Sequence, residues 1–352
     1  MSKILIHLAH PAHYHLFKNI IRMLKRGHEV HVSYNDKDVL RDLVENSKLE
    51  VSWHDLATGE STRSKYSFIW HFIQKEYQFF KLARRLRPGV LVGTPIIVAH
   101  SGFLLSIPSV IVNEDDFKVV SGSTRIGYPF ADKILAPESC NHWKWGGKTV
   151  HYDGYHELAY LHPKYFTADK SIASRYVDVE RPYVVVRLSA LMAHHDVGKR
   201  GISDELIKQL RDCIGDNVKM IINSEKSALP DKWQEHAVSV HPSHMHHVLH
   251  YASLYIGDSQ TMAAEAAVLG TPSVRYNDFV GRLGYLNELE VRYGLTVGIN
   301  MGEETLLLDT VKTILREVNR EEWRERASRM IAEKVDVVDF ISKEIEKSIG
   351  NT

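Results

Sequence analysis

The chain has 352 residues and carries 44 Lys and Arg against 44 Asp and Glu, a formal net charge of zero, so it lacks the overall field that draws a protein to nucleic acid. Its composition, 44% apolar and 25% charged, is that of a globular protein, and its length exceeds a single core, so two domains are expected. The only cysteines, Cys140 and Cys213, exclude a disulfide framework and fit a reducing compartment.

Met1 to His7 runs straight into a strand pattern, without the apolar core or cleavage site of a secretory signal, so a cytoplasmic protein is expected. Lys3 to Leu8 reads as a strand and His10-Pro11-Ala12-His13 as a turn. Phe17, Ile20, Ile21 and Leu24 then recur at helical spacing until Lys25-Arg26-Gly27 stops the helix. With the strand Glu29 to Ser33 this makes a β-α-β unit, hence parallel strands and a right-handed crossover. Val39 to Asn46 reads as a helix and Leu49 to Trp53 as a strand. Tyr66 to Leu86 is a long aromatic helix, and Lys81, Arg84, Arg85 and Arg87 at its end complement its dipole or suit a membrane surface. Pro88 to Asn113 contains no Asp, Glu, Lys or Arg and is long enough to span a bilayer, but prolines and glycines interrupt it. It reads instead as strand Val90 to Val92, helix Ile96 to Leu105 and strand Ser109 to Val112. A strand at Lys133 to Ala136 precedes a Tyr- and His-rich connection over 150–180 with little periodicity.

A second alternation follows, with strands at Tyr183 to Val186, Lys219 to Ile222, Leu254 to Gly257 and Ser273 to Arg275. Helices at Asp204 to Cys213, His244 to His250 and Thr261 to Leu269 separate them, and three helices close the chain: Glu304 to Val318, Glu321 to Lys334 and Val338 to Ile349. The pattern predicts an α/β protein of two Rossmann-like domains facing each other across a cleft, 1–165 and 166–335, with a helix in 336–352 packing back on the first.

Tyr255-Ile256-Gly257-Asp258 is a strand entering a turn, Ser259 is an N-cap residue, and Met262-Ala263-Ala264-Glu265-Ala266-Ala267 is strongly helical up to Gly270 and Pro272. The helix start therefore leaves the carboxyl end of a parallel strand, where free amides and the helix dipole suit a pyrophosphate. Glu265 lies one turn deeper, on the face of Thr261, where a carboxylate can accept the hydroxyls of a ribose. Neither a G-x-G-x-x-G nor a P-loop motif is present, and the same pattern also fits an ordinary capped helix.

The segment Gly257-Asp258-Ser259, Glu265-Ala266, Gly270 and Pro272, ending at Arg275, resembles the nucleotide-binding segment of the non-hydrolysing UDP-N-acetylglucosamine 2-epimerases and the GT-B glycosyltransferases. The whole chain is most similar to domain-of-unknown-function family 354, whose members share a His10-Pro11-Ala12-His13 start, a Phe17-Lys18-Asn19 sequence and an Ala193-His194-His195-Asp196 segment. The resemblance implies a GT-B-like fold. It assigns phosphate to Ser259 and the helix amides, ribose to Glu265 and the base-binding loop to Met245 and His246, and it counts Gln260, Thr261 and Arg275 among the nucleotide-sugar-binding residues.

His10, His13 and His15 follow the first strand. The resemblance to GT-B transferases implies that a His in this first loop, His13 above all, acts as or supports the base, and an imidazole suits that task near neutral pH. Helix capping or loop packing also fits these residues. Glu114, Asp115 and Asp116 leave another strand end, and the resemblance places an essential carboxylate at Glu114, with Asp115 beside it. Arg187 and Ser189, followed by His194, His195, Lys199 and Arg200, resemble the diphosphate-contacting cluster of the epimerases, although the Arg-x-Ser spacing departs from it. A guanidinium can grip a diphosphate with two parallel bonds. The cysteines have no partner motif and His156-Glu157 lacks a second His, so no metal is expected. No cofactor is expected either, since the nucleotide-sugar enters as substrate.

The expected activity is transfer of a sugar, UDP-linked, to a glycan or lipid-linked acceptor in cell-envelope polysaccharide synthesis, with peripheral contact at the inner face of the membrane. The alternatives are an epimerase acting on the nucleotide-sugar and a non-catalytic nucleotide-sugar binder.

Overall fold

The computed structural model describes residues 1–35, 39–56, 65–141, 143–189, 201–225, 229–317 and 319–349. Among them the chain forms two compact units, Met1–Tyr160 with Val335–Thr352, and Leu161–Lys334.

The first unit is a parallel sheet with helices between its strands. In chain order it contains β1 (Lys3–Leu8), α1 (Pro11–Leu24), β2 (Glu29–Tyr34), α2 (Leu40–Glu45), β3 (Ser52–Asp55), α3 (Lys65–Leu86), β4 (Val90–Gly93), α4 (Ile97–Leu105), β5 (Ser109–Val112), α5 (Ser121–Gly127), β6 (Lys133–Pro137), β7 (Thr149–Tyr152) and the short α6 (Leu158–Leu161). The strand order is β3-β2-β1-β4-β5-β6-β7. Ile4, Leu5, Ile6 and Leu8, like Val90-Leu91-Val92, are fully buried, as unbroken apolar strands are when both faces are covered.

α1 starts earlier than the periodicity indicates. His10 is its N-cap, with Nδ1 accepting the Ala12 amide at 3.2 Å, and Pro11 takes the first helical position, where its missing N–H costs nothing. His13 thus sits in the first helical turn rather than in a turn before the helix. The third strand forms at Ser52–Asp55, in register with His31–Tyr34 of β2. β7 arises where the sequence shows no period, because a four-residue edge strand has room for little alternation.

The second unit contains α7 (Lys170–Ala173), β8 (Tyr183–Leu188), α8 (Asp204–Ile214), β9 (Lys219–Ser224), α9 (Met245–Tyr251), β10 (Leu254–Gly257), α10 (Gln260–Val268), β11 (Ser273–Tyr276), α11 (Gly284–Val291), β12 (Val297–Ile299), α12 (Glu304–Glu317) and α13 (Arg320–Glu333). Its sheet, also parallel, has the order β12-β11-β10-β8-β9. One core joins Val184, Val186, Ile256 and Val274 of the strands to Leu206 and Leu210 of α8 and Leu307 and Val311 of α12. α10 is buried nearly all round, with Ala263, Ala264, Ala266 and Ala267 fully covered. Small side chains let that helix lie close to its surroundings.

The chain then returns to the first unit as α14 (Val337–Ser348), capped by Asp336 accepting the Asp339 amide at 3.2 Å. Val337, Val338, Ile341 and Ile345 are fully buried, α14 packs on α1, and Glu344 pairs with Lys133 at 3.0 Å.

Each sheet reverses its strand order once, between β1 and β4 in the first unit and between β8 and β10 in the second. Ligands of open α/β sheets bind beyond the carboxyl ends of the strands at such switch points.

Candidate functional site

In the second unit three loops meet beyond the switch point. β10 ends at Gly257, in register with Arg187 of β8 and Arg275 of β11. Any side chain at 257 would collide with its neighbours, since a Cβ there would lie 2.4 Å from Tyr255 Oη and 2.9 Å from Arg187 Cβ. The phenol of Tyr255 instead donates to the Ser259 carbonyl at 3.2 Å, and burial, which raises its pKa well above the usual value, keeps that donor protonated. Asp258 accepts the Ser189 amide at 2.8 Å, and its carbonyl accepts from Asn277 Nδ2 at 3.3 Å. The loops after β8, β10 and β11 are thereby held together.

Ser259 caps α10, its Oγ accepting the Met262 amide at 3.3 Å. A hydroxyl has one proton as well as its lone pairs, so a capping Ser259 still has a donor to offer a phosphate oxygen. Ser259, Gln260 and Thr261 are half-buried, whereas the helix beyond them is buried. The Met262 amide is taken by the cap, and the Gln260 and Thr261 amides, which have no carbonyl inside the helix, lie at this partly exposed edge. One turn on, Glu265 is buried and Nε2 of buried His246 lies 3.0 Å from its Oε1.

Other sequence-predicted residues take different places. Met245 is buried at the start of α9, and His246 turns toward Glu265. Arg187 is bonded to Asn223 Oδ1 and Glu225 Oε1 at the end of β9. Arg275 is fully buried and paired with Glu290 Oε2 at 2.6 Å, and the other oxygen of Glu290 accepts the Gly298 amide at 2.8 Å. Ser189 contributes its backbone to Asp258. His194, His195, Asp196, Lys199 and Arg200 lie outside the described residues.

In the first unit the ends of β1, β5 and β7 carry a second cluster. His13 is half-buried, and its Nδ1 accepts the Ala9 amide at 3.2 Å. Burial and the neighbouring His10, His7 and His156 hold its pKa well below the usual histidine value. Glu114 brackets His156: Oε2 accepts the His156 amide at 3.2 Å and Oε1 lies 3.3 Å from Nδ1. Burial pushes His156 down to about 4, against the opposing influence of Glu157 and Asp115. Asp115 is half-buried and its carbonyl accepts from Asn113 Nδ2 at 3.3 Å. Asp116 accepts the Asn141 amide at 2.8 Å, a loop tie. His7 points the other way, to Ser33 Oγ at 3.0 Å, and burial pushes it down to about 3.

Among the described residues no three His, Cys, Asp or Glu are grouped to hold a metal ion, and no helix is long and apolar enough to cross a membrane. The site residues that the sequence reading missed are Asp258, Tyr255 and His156. Asp258 and Tyr255 stand inside the motif that was read, and only their contacts give them roles. His156 lies in the aperiodic connection, where the His156-Glu157 pair reads only as a partial metal motif and nothing local points to Glu114.

No curated protein matches the sequence. Solved structures match its fold over nearly the whole chain at low identity. The UDP-GlcNAc 2-epimerase from Neisseria meningitidis bound to UDP-GlcNAc is 13% identical with a TM-score of 0.67, covering 99% of this chain and 100% of that one. Spinosyn rhamnosyltransferase complexed with thymidine diphosphate is 13% identical with a TM-score of 0.62, covering 97% and 99%. The UDP-GlcNAc 2-epimerase from Methanocaldococcus jannaschii is 15% identical with a TM-score of 0.61, covering 94% and 99%. The fold is GT-B-like, with two Rossmann-like sheets. Residues 2–338 match the model of a family described as protein of unknown function, and the chain belongs to that family, DUF354.

Proposed function

We propose that the chain is a glycosyltransferase that binds a nucleotide-sugar, UDP-linked, at the second unit and transfers the sugar to a glycan or lipid-linked acceptor. The observation that carries this reading is the start of α10, where Ser259 and the first-turn amides open at a switch point one turn from the buried Glu265. The first is anion chemistry and the second suits ribose hydroxyls, the two kinds of group a nucleoside diphosphate presents. The neighbouring folds include proteins bound to UDP-GlcNAc and thymidine diphosphate, which supports the ligand class. In the first unit, the cluster that holds His13, Glu114 and Asp115 is where an acceptor hydroxyl would meet acid–base chemistry.

The test is a panel of UDP-, GDP- and dTDP-sugars with glycan and polyprenyl-phosphate-linked acceptors, read as nucleotide release and sugar transfer. Transfer with a UDP-sugar, lost in Ser259→Ala and Glu265→Ala together with UDP binding, is the expected result. Binding without turnover, unchanged by His13→Ala and Glu114→Ala, would instead make the protein a nucleotide-sugar binder. The epimerase reading is favoured by the imidazole of His156 set against the Glu114 carboxyl group. Deuterium entering the sugar C2 from D2O would establish it.

A peripheral membrane contact fits one surface of the first unit. Trp70, Ile73 and Tyr77 on α3 and Phe103 and Leu104 on α4 are exposed, and Phe103 stacks edge-on with the partly exposed Phe130 at 5.0 Å. The Glu76–His100 pair, at 2.9 Å, ties the two helices together, and Lys81 and Arg84 are exposed on α3. Apolar rings beside cations suit an anionic bilayer. Co-sedimentation with phosphatidylglycerol vesicles, weakened by Phe103→Ser and by high salt, is expected. Equal recovery with and without vesicles would remove this contact.

A further inference from the structure

We infer that His156, held by Glu114, is the proton acceptor of the first unit, and that His13 is a neutral hydrogen-bond donor beside it. The inference deepens the transferase reading and rests on that reading only for the identity of the substrate.

The argument is one of tautomers. A neutral imidazole has a single N–H, and whichever nitrogen faces an obligate donor must be the bare one. His13 Nδ1 faces the backbone N–H of Ala9 at 3.2 Å. An amide can only donate, so the proton of neutral His13 sits on Nε2, and that nitrogen has no lone pair to act as a base. His156 is the opposite case. Its Nδ1 faces Oε1 of Glu114 at 3.3 Å, and a carboxylate can only accept. That contact favours the proton on Nδ1, which leaves the lone pair on Nε2. The second oxygen of Glu114 accepts the His156 amide at 3.2 Å, so the carboxylate fixes both the backbone and the ring of the same residue.

A second observation points to a ligand at Nε2. That nitrogen is buried and has no hydrogen-bond partner among the described residues. A buried acceptor left without a donor is destabilising, and a ligand hydroxyl would satisfy it. The charged and titratable groups that bear on the pair are Glu114, Asp115 and Glu157 around His156, and His7 and His10 around His13. Burial favours the neutral form of both rings, which the tautomer argument requires.

In the transfer step, the proton of the acceptor hydroxyl passes to Nε2 of His156. The hydroxyl oxygen forms its bond to the sugar carbon, and the bond from that carbon to the diphosphate oxygen breaks, its electron pair leaving with the diphosphate. His156 becomes an imidazolium whose Nδ1–H faces the Glu114 carboxylate, so Glu114 is a positioning residue that also stabilises the charge formed. His13 orients the ligand by donating from Nε2 to one of its oxygens.

The test does not need the substrate. Long-range proton–nitrogen correlation spectra of the full chain labelled with 15N-histidine, at pH 7, report the tautomer of each ring, with His13→Gln and His156→Gln assigning the signals. His156 is expected as the Nδ1–H form and His13 as the Nε2–H form. A charged ring at either position, or the reverse tautomers, would overturn the inference. Glu114→Gln should shift His156 toward the Nε2–H form, because a carboxamide can rotate an N–H toward Nδ1; an unchanged tautomer would remove Glu114 as the positioning group. With an active sugar donor, His156→Gln should lower turnover at least about 100-fold while UDP affinity, measured by calorimetry, stays unchanged. If His156→Gln does not fold, His156→Asn, which keeps an N–H near Glu114, serves in its place. Full turnover in a folded variant would overturn the catalytic assignment. A wild-type chain that binds no UDP would instead fail the transferase reading and leave the tautomer result standing.

Discussion

Gly257 shows how one residue type conditions a site. The strand brings Arg187 and Arg275 to either side of it, and Tyr255 Oη fills the space over its Cα on the way to the Ser259 carbonyl. Gly257→Ala should lower stability by about 1–3 kcal/mol, the usual cost of overpacking, in a urea titration. Adding Tyr255→Phe should recover part of that loss by removing the oxygen nearest the new methyl. At this scale the sequence was legible only in part. Ser259 and Glu265 could be read because cap chemistry and helical spacing are local. His246 could be proposed from its place before β10 but not given its partner, because Glu265 lies 19 positions away. Glu114 could be read as a strand-end carboxylate, whereas His156 reaches it only through the pairing of β5, β6 and β7. Arg275 could be placed by its position at the end of the motif, but its partner Glu290, on α11 with no clear periodic signal, could not.

Helix starts recur as the organising device at the next scale. Ser259, Ser203, Asp336 and Asn319 each accept an amide two or three residues ahead. A lost cap costs about 1 kcal/mol, so Ser259→Ala and Asp336→Ala should show similar drops in denaturant midpoint. They should differ in ligand response: UDP should raise the melting temperature of Asp336→Ala as it does that of the wild type, and should do so much less in Ser259→Ala. Equal responses would reduce Ser259 to a structural cap. Long periodic helices and apolar strands were legible in the sequence because they repeat a pattern. α11, β7 and β12 were not, since none has more than eight residues and tertiary pairing decides them.

Across the whole molecule, acid should act through buried imidazoles. His7 is pushed down to about 3 and His156 and His250 to about 4, in each case chiefly by burial. Unfolding restores them to about 6.5, so between these values the unfolded chain binds more protons and stability falls as the pH drops. The loss should begin near pH 6.5 and continue to about pH 3, where His7 titrates in the folded chain, visible as a falling melting temperature. His156→Gln and His250→Gln should each flatten the curve in that window, and a pH-independent midpoint would contradict the buried neutral state. The first unit is also discontinuous along the chain, since α14 supplies Val337, Val338, Ile341 and Ile345 to its core after the second unit has been completed. During synthesis the second unit therefore has its whole sequence available while the first still lacks a wall. The amino-terminal half, made earliest, is the last to close, and until residues 335–349 emerge it exposes apolar surface that a chaperone would recognise.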